Sequence, residues 1–165
     1  MTGTTLARTL HDAGLAAWFG GTLMGAVGLN GASGAIADPL DRVHVTTVGW
    51  ARWTPVQVVA IAAHLTGGAL LRRRAPRTTR AGDLVRTRRV VTGVALAAMA
   101  WQAVLGAKVA ASPRTPADSG VTSLPDTAEG LVPVLAQLRI TQWLLPAATG
   151  ALIAVDARRQ EQQAS

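Results

Sequence analysis

Four stretches of this chain, residues 13–37, 53–71, 90–107 and 140–155, contain no Asp, Glu, Lys or Arg and run to 25, 19, 18 and 16 residues. An apolar helix needs roughly 17–25 residues to cross a bilayer. A helix in a soluble bundle needs a polar stripe for water, and these stretches offer none. They predict an all-α integral membrane protein with a single membrane domain over residues 1–165. Four transmembrane helices are expected near residues 10–30, 54–71, 90–110 and 131–156, in an up-down bundle.

Charge sets the orientation. Residues 72–89 form an inner basic loop with eight arginines (Arg72, Arg73, Arg74, Arg77, Arg80, Arg86, Arg88 and Arg89) against one acid, Asp83. Short cytoplasmic loops of membrane proteins carry such an excess of Arg and Lys. On this topology eleven basic residues fall inside and five outside, while the acids divide four and five. The net charge of +7 is then a consequence of topology rather than a sign of nucleic-acid binding, and the loop has no aromatic side chain to stack a base. The expectation is a multi-pass plasma-membrane protein with both termini cytoplasmic. Its partners would be a bilayer with anionic headgroups, a membrane protein, or a second copy of itself. The arginines are the expected contacts to lipid or partner, each contributing about 1 kcal/mol near an anionic surface.

The first helix carries a stripe of small residues, Gly14, Gly21, Gly25 and Gly28. Small residues let helix backbones approach closely in lipid, where packing replaces the missing hydrophobic drive. This stripe is expected to pack within the bundle rather than to form a dimer face. Outer loops are expected at residues 31–53 and 111–130. In the first, Asp38-Pro39 resembles a helix start with Asp as cap and Pro at the first position, which suggests a short interfacial helix. A strand over residues 43–48 is the alternative, and Thr54-Pro55 would restart the chain as a membrane helix. The second loop, with Pro113, Pro116 and Pro125, reads as flexible and solvated. Asp126 and Glu129 resemble a capping box that would start the fourth helix near Thr127.

His64 is the foremost candidate for chemistry. Eight residues before Arg72, it would lie about 12 Å inside the membrane at 1.5 Å per residue, where an ionisable group suggests function. Gln102 or Thr92 could instead hold it as a neutral interhelical bond. A haem held by His64 and His11 is disfavoured, because counting residues separates the two in depth by on the order of 10 Å. Gln102 and Arg139, with His64, could line a polar route. No cysteine is present, and phosphate-binding, zinc-protease and serine-hydrolase motifs are absent. No enzyme, metal or cofactor is expected.

The runs His11-Asp12-Ala13-Gly14-Leu15-Ala16-Ala17-Trp18-Phe19-Gly20-Gly21, Gly49-Trp50-Ala51-Arg52-Trp53-Thr54-Pro55 and Gln142-Trp143-Leu144-Leu145-Pro146 resemble those of small four-helix membrane proteins of high-GC Gram-positive bacteria. Fifteen arginines against one lysine agree with a high-GC coding sequence. The resemblance implies architecture and membrane location, and no functional residue. The functional expectation is a non-enzymatic accessory or scaffold protein holding partners or anionic lipid. A small carrier or ion-pathway protein is the second reading, and a haem-binding redox subunit the third.

Overall fold

The computed structural model describes residues 3–74 and 82–164. Helix α1 spans Gly3–Met24 and continues through a π-helical turn, Gly25–Asn30, and a 3-10 turn, Ser33–Ala35. Helix α2 spans Pro39–Arg74 and α3 spans Asp83–Ala110. Strands β1, Ala117–Ser119, and β2, Thr122–Ser123, form a small antiparallel hairpin before α4, Val132–Ala164. The fold is all-α apart from that hairpin. Among the described residues, α2, α3 and α4 are long and apolar enough to cross a membrane. The fourth expected span is not among them, because α1 carries Arg8, His11 and Asp12 in its first half and leaves α-helical geometry at Gly25.

Sequential neighbours run antiparallel, as the partners show. Along α1, Gly14, Gly21 and Gly25 face Ala60, Trp53 and Trp50 of α2 in descending order. Across α3 and α4, Arg88 meets Asp156 and Gln102 meets Thr141. Helix α1 also packs on α4, whereas α2 and α3 touch at few places. Two apolar cores result. The one nearer the arginine-rich end of the bundle, termed the inner end, holds Leu15, Trp18, Ala95, Ala98, Leu145, Ala148 and Leu152. The outer one joins Val43, Leu105, Val109, Ala117, Leu131, Val134 and Leu135. Large apolar side chains also point outward on every helix, among them Val27, Val59, Trp101, Ile140 and Trp143.

The outer end departs from the sequence expectation. No separate interfacial helix and no strand occupies residues 31–53: α2 begins at Pro39 and runs unbroken through Pro55 for 36 residues. Asp38 does act as the cap, its Oδ1 accepting from the Leu40 backbone at 2.9 Å. Pro55 removes one bond of the helix ladder, but it lies on an exposed face. The expected flexible loop at 111–130 is instead tied down. The Thr127 hydroxyl donates to the Pro116 carbonyl and accepts from Leu124 N, and Thr115 accepts from Ala128 N. Ser33 accepts from Gly120 N at 2.7 Å, and Gly120 packs directly on Thr46, where a side chain would collide. Helix α4 accordingly starts at Val132 rather than near Thr127. At the inner end the basic loop is shorter than 72–89, since Arg72–Arg74 and Asp83–Arg89 are helical. Arg77 and Arg80 lie outside the described residues.

Candidate functional site

One polar side chain from each helix converges at the inner end: His11 of α1, His64 of α2, Arg88 of α3 and Asp156 of α4. The first two are brought together by backbone proximity. A Cβ on Gly14 would collide with the Ala60 carbonyl and the His64 backbone nitrogen, and one on Gly67 with the Ala7 carbonyl and the His11 nitrogen. The two helices repeat the same spacing, Ala7–His11–Gly14 and Ala60–His64–Gly67, so the antiparallel crossing has local two-fold symmetry. Only with glycine at both positions can the chains meet this closely.

Each imidazole then reaches across the crossing. His11 Nδ1 donates to the His64 carbonyl at 2.9 Å, and His64 Nδ1 donates to the His11 carbonyl at 3.0 Å. The rings stack with centroids 4.1 Å apart and planes inclined by 22°, and Trp18 closes the His64 side edge-on at 6.3 Å. The depth difference expected from counting residues does not exist. Helix α1 begins at Gly3 rather than near residue 10, so His11 lies about two turns inside α1, just as His64 lies about two turns before the arginines that end α2.

Arg88 and Asp156 complete the group. Arg88 Nη2 lies 3.1 Å from His11 Nε2 and 3.5 Å from His64 Nε2. Its Nε lies 2.9 Å from Asp156 Oδ1, an ion pair by distance whose N–H is not aimed at the oxygen. Asp156 Oδ2 is 3.1 Å from His11 Nε2, and Arg159 approaches the other oxygen at 4.0 Å. The side chains of Arg88 and Asp156 are 9% and 14% exposed. Arg88 is therefore buried inside the bundle rather than offered to lipid or a partner, whereas Arg72, Arg73, Arg74, Arg86 and Arg89 are exposed. With α3 starting at Asp83, Arg88 lies over a turn inside the helix and on its inward face with Ala95, Ala98 and Leu105.

This arrangement does not suit a two-histidine haem. Axial ligands meet an iron from opposite faces, whereas these rings lie one upon the other and both Nε2 atoms face Arg88. His44 is exposed at the outer end.

The other sequence candidates lie apart from this cluster. Gln102 Nε2 donates to the Thr141 carbonyl at 2.6 Å, Thr92 bonds back to Arg88 O, and Arg139 is exposed. His64, Gln102 and Arg139 do not line one route. Gln102 instead borders a cavity of about 320 Å³ where α2 and α3 diverge, with Asn30, Trp50, Met99, Leu138 and Gln142 on its walls. Asn30, delivered by the π-helical turn, donates to Gln142 Oε1 at 2.9 Å and accepts from Trp50 Nε1 at 3.0 Å. The cavity is thus apolar with neutral amides at its edge. Of the glycine stripe, Gly14, Gly21 and Gly25 sit against α2, and Gly28 meets only Met24 of its own helix.

No protein-family model, curated protein or solved structure matches the chain.

The signals for the missed residues are present in the sequence. The Ala-x3-His-x2-Gly spacing occurs twice, and Asp156 continues the inward stripe of Leu145, Thr149 and Leu152.

Proposed function

We propose that the chain is a non-enzymatic accessory protein of the plasma membrane, crossing it four times with both termini cytoplasmic, and that its inner end holds anionic lipid headgroups. One observation carries this: every helix delivers exposed arginine to the same end. These are Arg8 from α1, Arg72, Arg73 and Arg74 from α2, Arg86 and Arg89 from α3, and Arg158 from α4. Of the nearby acids, Asp156 is already engaged by Arg88. Outward-facing Val, Ile, Leu and Trp side chains on all four helices suit a lipid surround, which has no hydrophobic drive of its own to bury them. Helix α1 makes the fourth pass, with His11 turned to the α2 and α4 contacts and Arg8 and Asp12 exposed near the inner end.

The test is native mass spectrometry after reconstitution in equal phosphatidylglycerol and phosphatidylcholine. The wild type should retain the anionic lipid preferentially. Arg72→Gln, Arg73→Gln and Arg74→Gln together should lower that preference at least tenfold, given about 1 kcal/mol per arginine near the surface. Equal retention of both lipids by wild type and variant would refute the proposal.

A second reading, a small carrier of a neutral amphiphile, is favoured specifically by the cavity between α2 and α3. Its volume of about 320 Å³ lies at the lower end of ligand-pocket sizes, and its amide edge would suit an uncharged head.

A further inference from the structure

We propose that the inner cluster is a proton-binding site, in which one proton decides whether His11 Nε2 accepts a hydrogen bond from Arg88 or donates one to Asp156. The inference goes beyond lipid binding and does not depend on it.

The proton positions follow from the partners. A backbone carbonyl can only accept, so the Nδ1 atoms of both His11 and His64, at 2.9 and 3.0 Å from carbonyl oxygens, carry hydrogen. In a neutral ring the other nitrogen is then a lone pair. For His64 this is self-consistent, because among the described residues its Nε2 meets the guanidinium of Arg88, a permanent donor. His11 differs. Its Nε2 has a donor, Arg88 Nη2, and an acceptor, Asp156 Oδ2, each at 3.1 Å. One ring nitrogen cannot satisfy both.

Two states resolve the conflict. With a lone pair at Nε2, His11 accepts from Arg88 and faces the carboxylate without a shared hydrogen. On proton uptake an N–H bond forms at Nε2 as the O–H bond that held the proton in a hydronium ion breaks and leaves water. His11 then donates to Asp156, and its contact with Arg88 becomes donor against donor. The proton comes from water on the inner side, reached past the partly exposed Asp156. The change moves the tether of α1 from α3 to α4. The titratable and charged groups facing the site are His64 from α2, Arg88 from α3, and Asp156 and Arg159 from α4, with Arg72 of α2 close enough to Arg88 to repel it.

The test is 15N spectroscopy of histidine-labelled, full-length protein in bilayer nanodiscs across pH, with His44→Gln to remove the outer histidine's signals. His64 should remain a neutral Nδ1–H ring throughout. His11 should pass from that form to a doubly protonated one as pH falls. In Asp156→Asn the doubly protonated fraction, read at the wild-type midpoint, should fall at least fivefold. If that variant does not fold, Arg88→Gln serves instead and should raise the fraction. A His11 that never takes the second proton while folded overturns the proposal. So does one whose protonation is indifferent to the variant measured.

Discussion

The two ends of the bundle are held by different chemistry. At the inner end the cohesion is ionic, with Arg88 and Asp156 paired across α3 and α4 and two imidazoles linking them to α1 and α2. At the outer end the buried links are mostly neutral: Asn30 to Gln142, Trp50 to Asn30, Gln102 to the Thr141 carbonyl, and threonines that fasten the hairpin. Arg42 is the outer exception, and it bonds the carbonyls of Ile36, Ala117 and Asp118 rather than a carboxylate. A neutral bond broken at a half-open rim can be replaced by water. A buried charge that loses its partner is left in a low-dielectric surround. The inner end should therefore be stiff and intolerant of substitution, and the outer end permissive.

The sharpest way to break this contrast is Asp156→Ala. It leaves the buried Arg88 guanidinium without a carboxylate, and the expected loss is roughly 3–5 kcal/mol, read by SDS-induced unfolding in mixed micelles. Replacing both members, Asp156→Leu with Arg88→Met, should recover most of that loss, because exchanging a buried ion pair for apolar packing is often neutral. A double variant as unstable as the single would mean that the histidine pair itself requires Arg88.

The helices were legible in the sequence because charge is missing over long runs such as 90–107 and 140–155, which are long and apolar enough for α3 and α4 to cross a membrane. Their ends were poorly marked, since a helix can extend into polar sequence once tertiary contacts hold it. Pro39–Thr54 became the first part of α2 on that account. The same error hid the site. The dense arginines of Asp83–Arg89 read as loop, although the spacing of Arg88 to Ala95, Ala98 and Leu105 marks an inward helix face. A first helix that starts near residue 10 separates His11 from His64 in depth, whereas the start at Gly3 brings them level. The hairpin over 117–123 leaves almost no periodic trace, because it is held by side-chain bonds to Ser33 and to Thr127 rather than by an apolar pattern.

The next effect concerns the crossing that supports the histidine pair. Gly14→Ala places a methyl against the Ala60 carbonyl and the His64 backbone nitrogen, neither of which can move without parting the helices. A loss of roughly 1–3 kcal/mol is expected from overpacking, together with altered His64 15N shifts. Gly93→Ala is the control on the outward face, with nothing within 4 Å of the added carbon. It should be neutral or gain up to about 1 kcal/mol of helix propensity. Equal losses in the two would show that the α1–α2 contact is looser than its geometry implies.

The smallest effect sharpens the comparison from the other side. Arg114 and Asp41 form an ion pair at the outer end, 3.3 Å apart, with side chains 60% and 43% exposed. The residue types match those of the inner pair, so exposure is the variable that differs most. Water already solvates both groups before they meet, and removing one leaves the other hydrated. Arg114→Ala should therefore cost no more than about 0.2–1 kcal/mol, and even that should fade in high salt as the charges are screened. A loss comparable with that of Asp156→Ala would mean that the outer cap depends on charge as the inner end does, and burial would no longer account for the difference between them. A negligible loss, beside a large one for Asp156, would place the cost in the desolvated surround rather than in the ion pair as such.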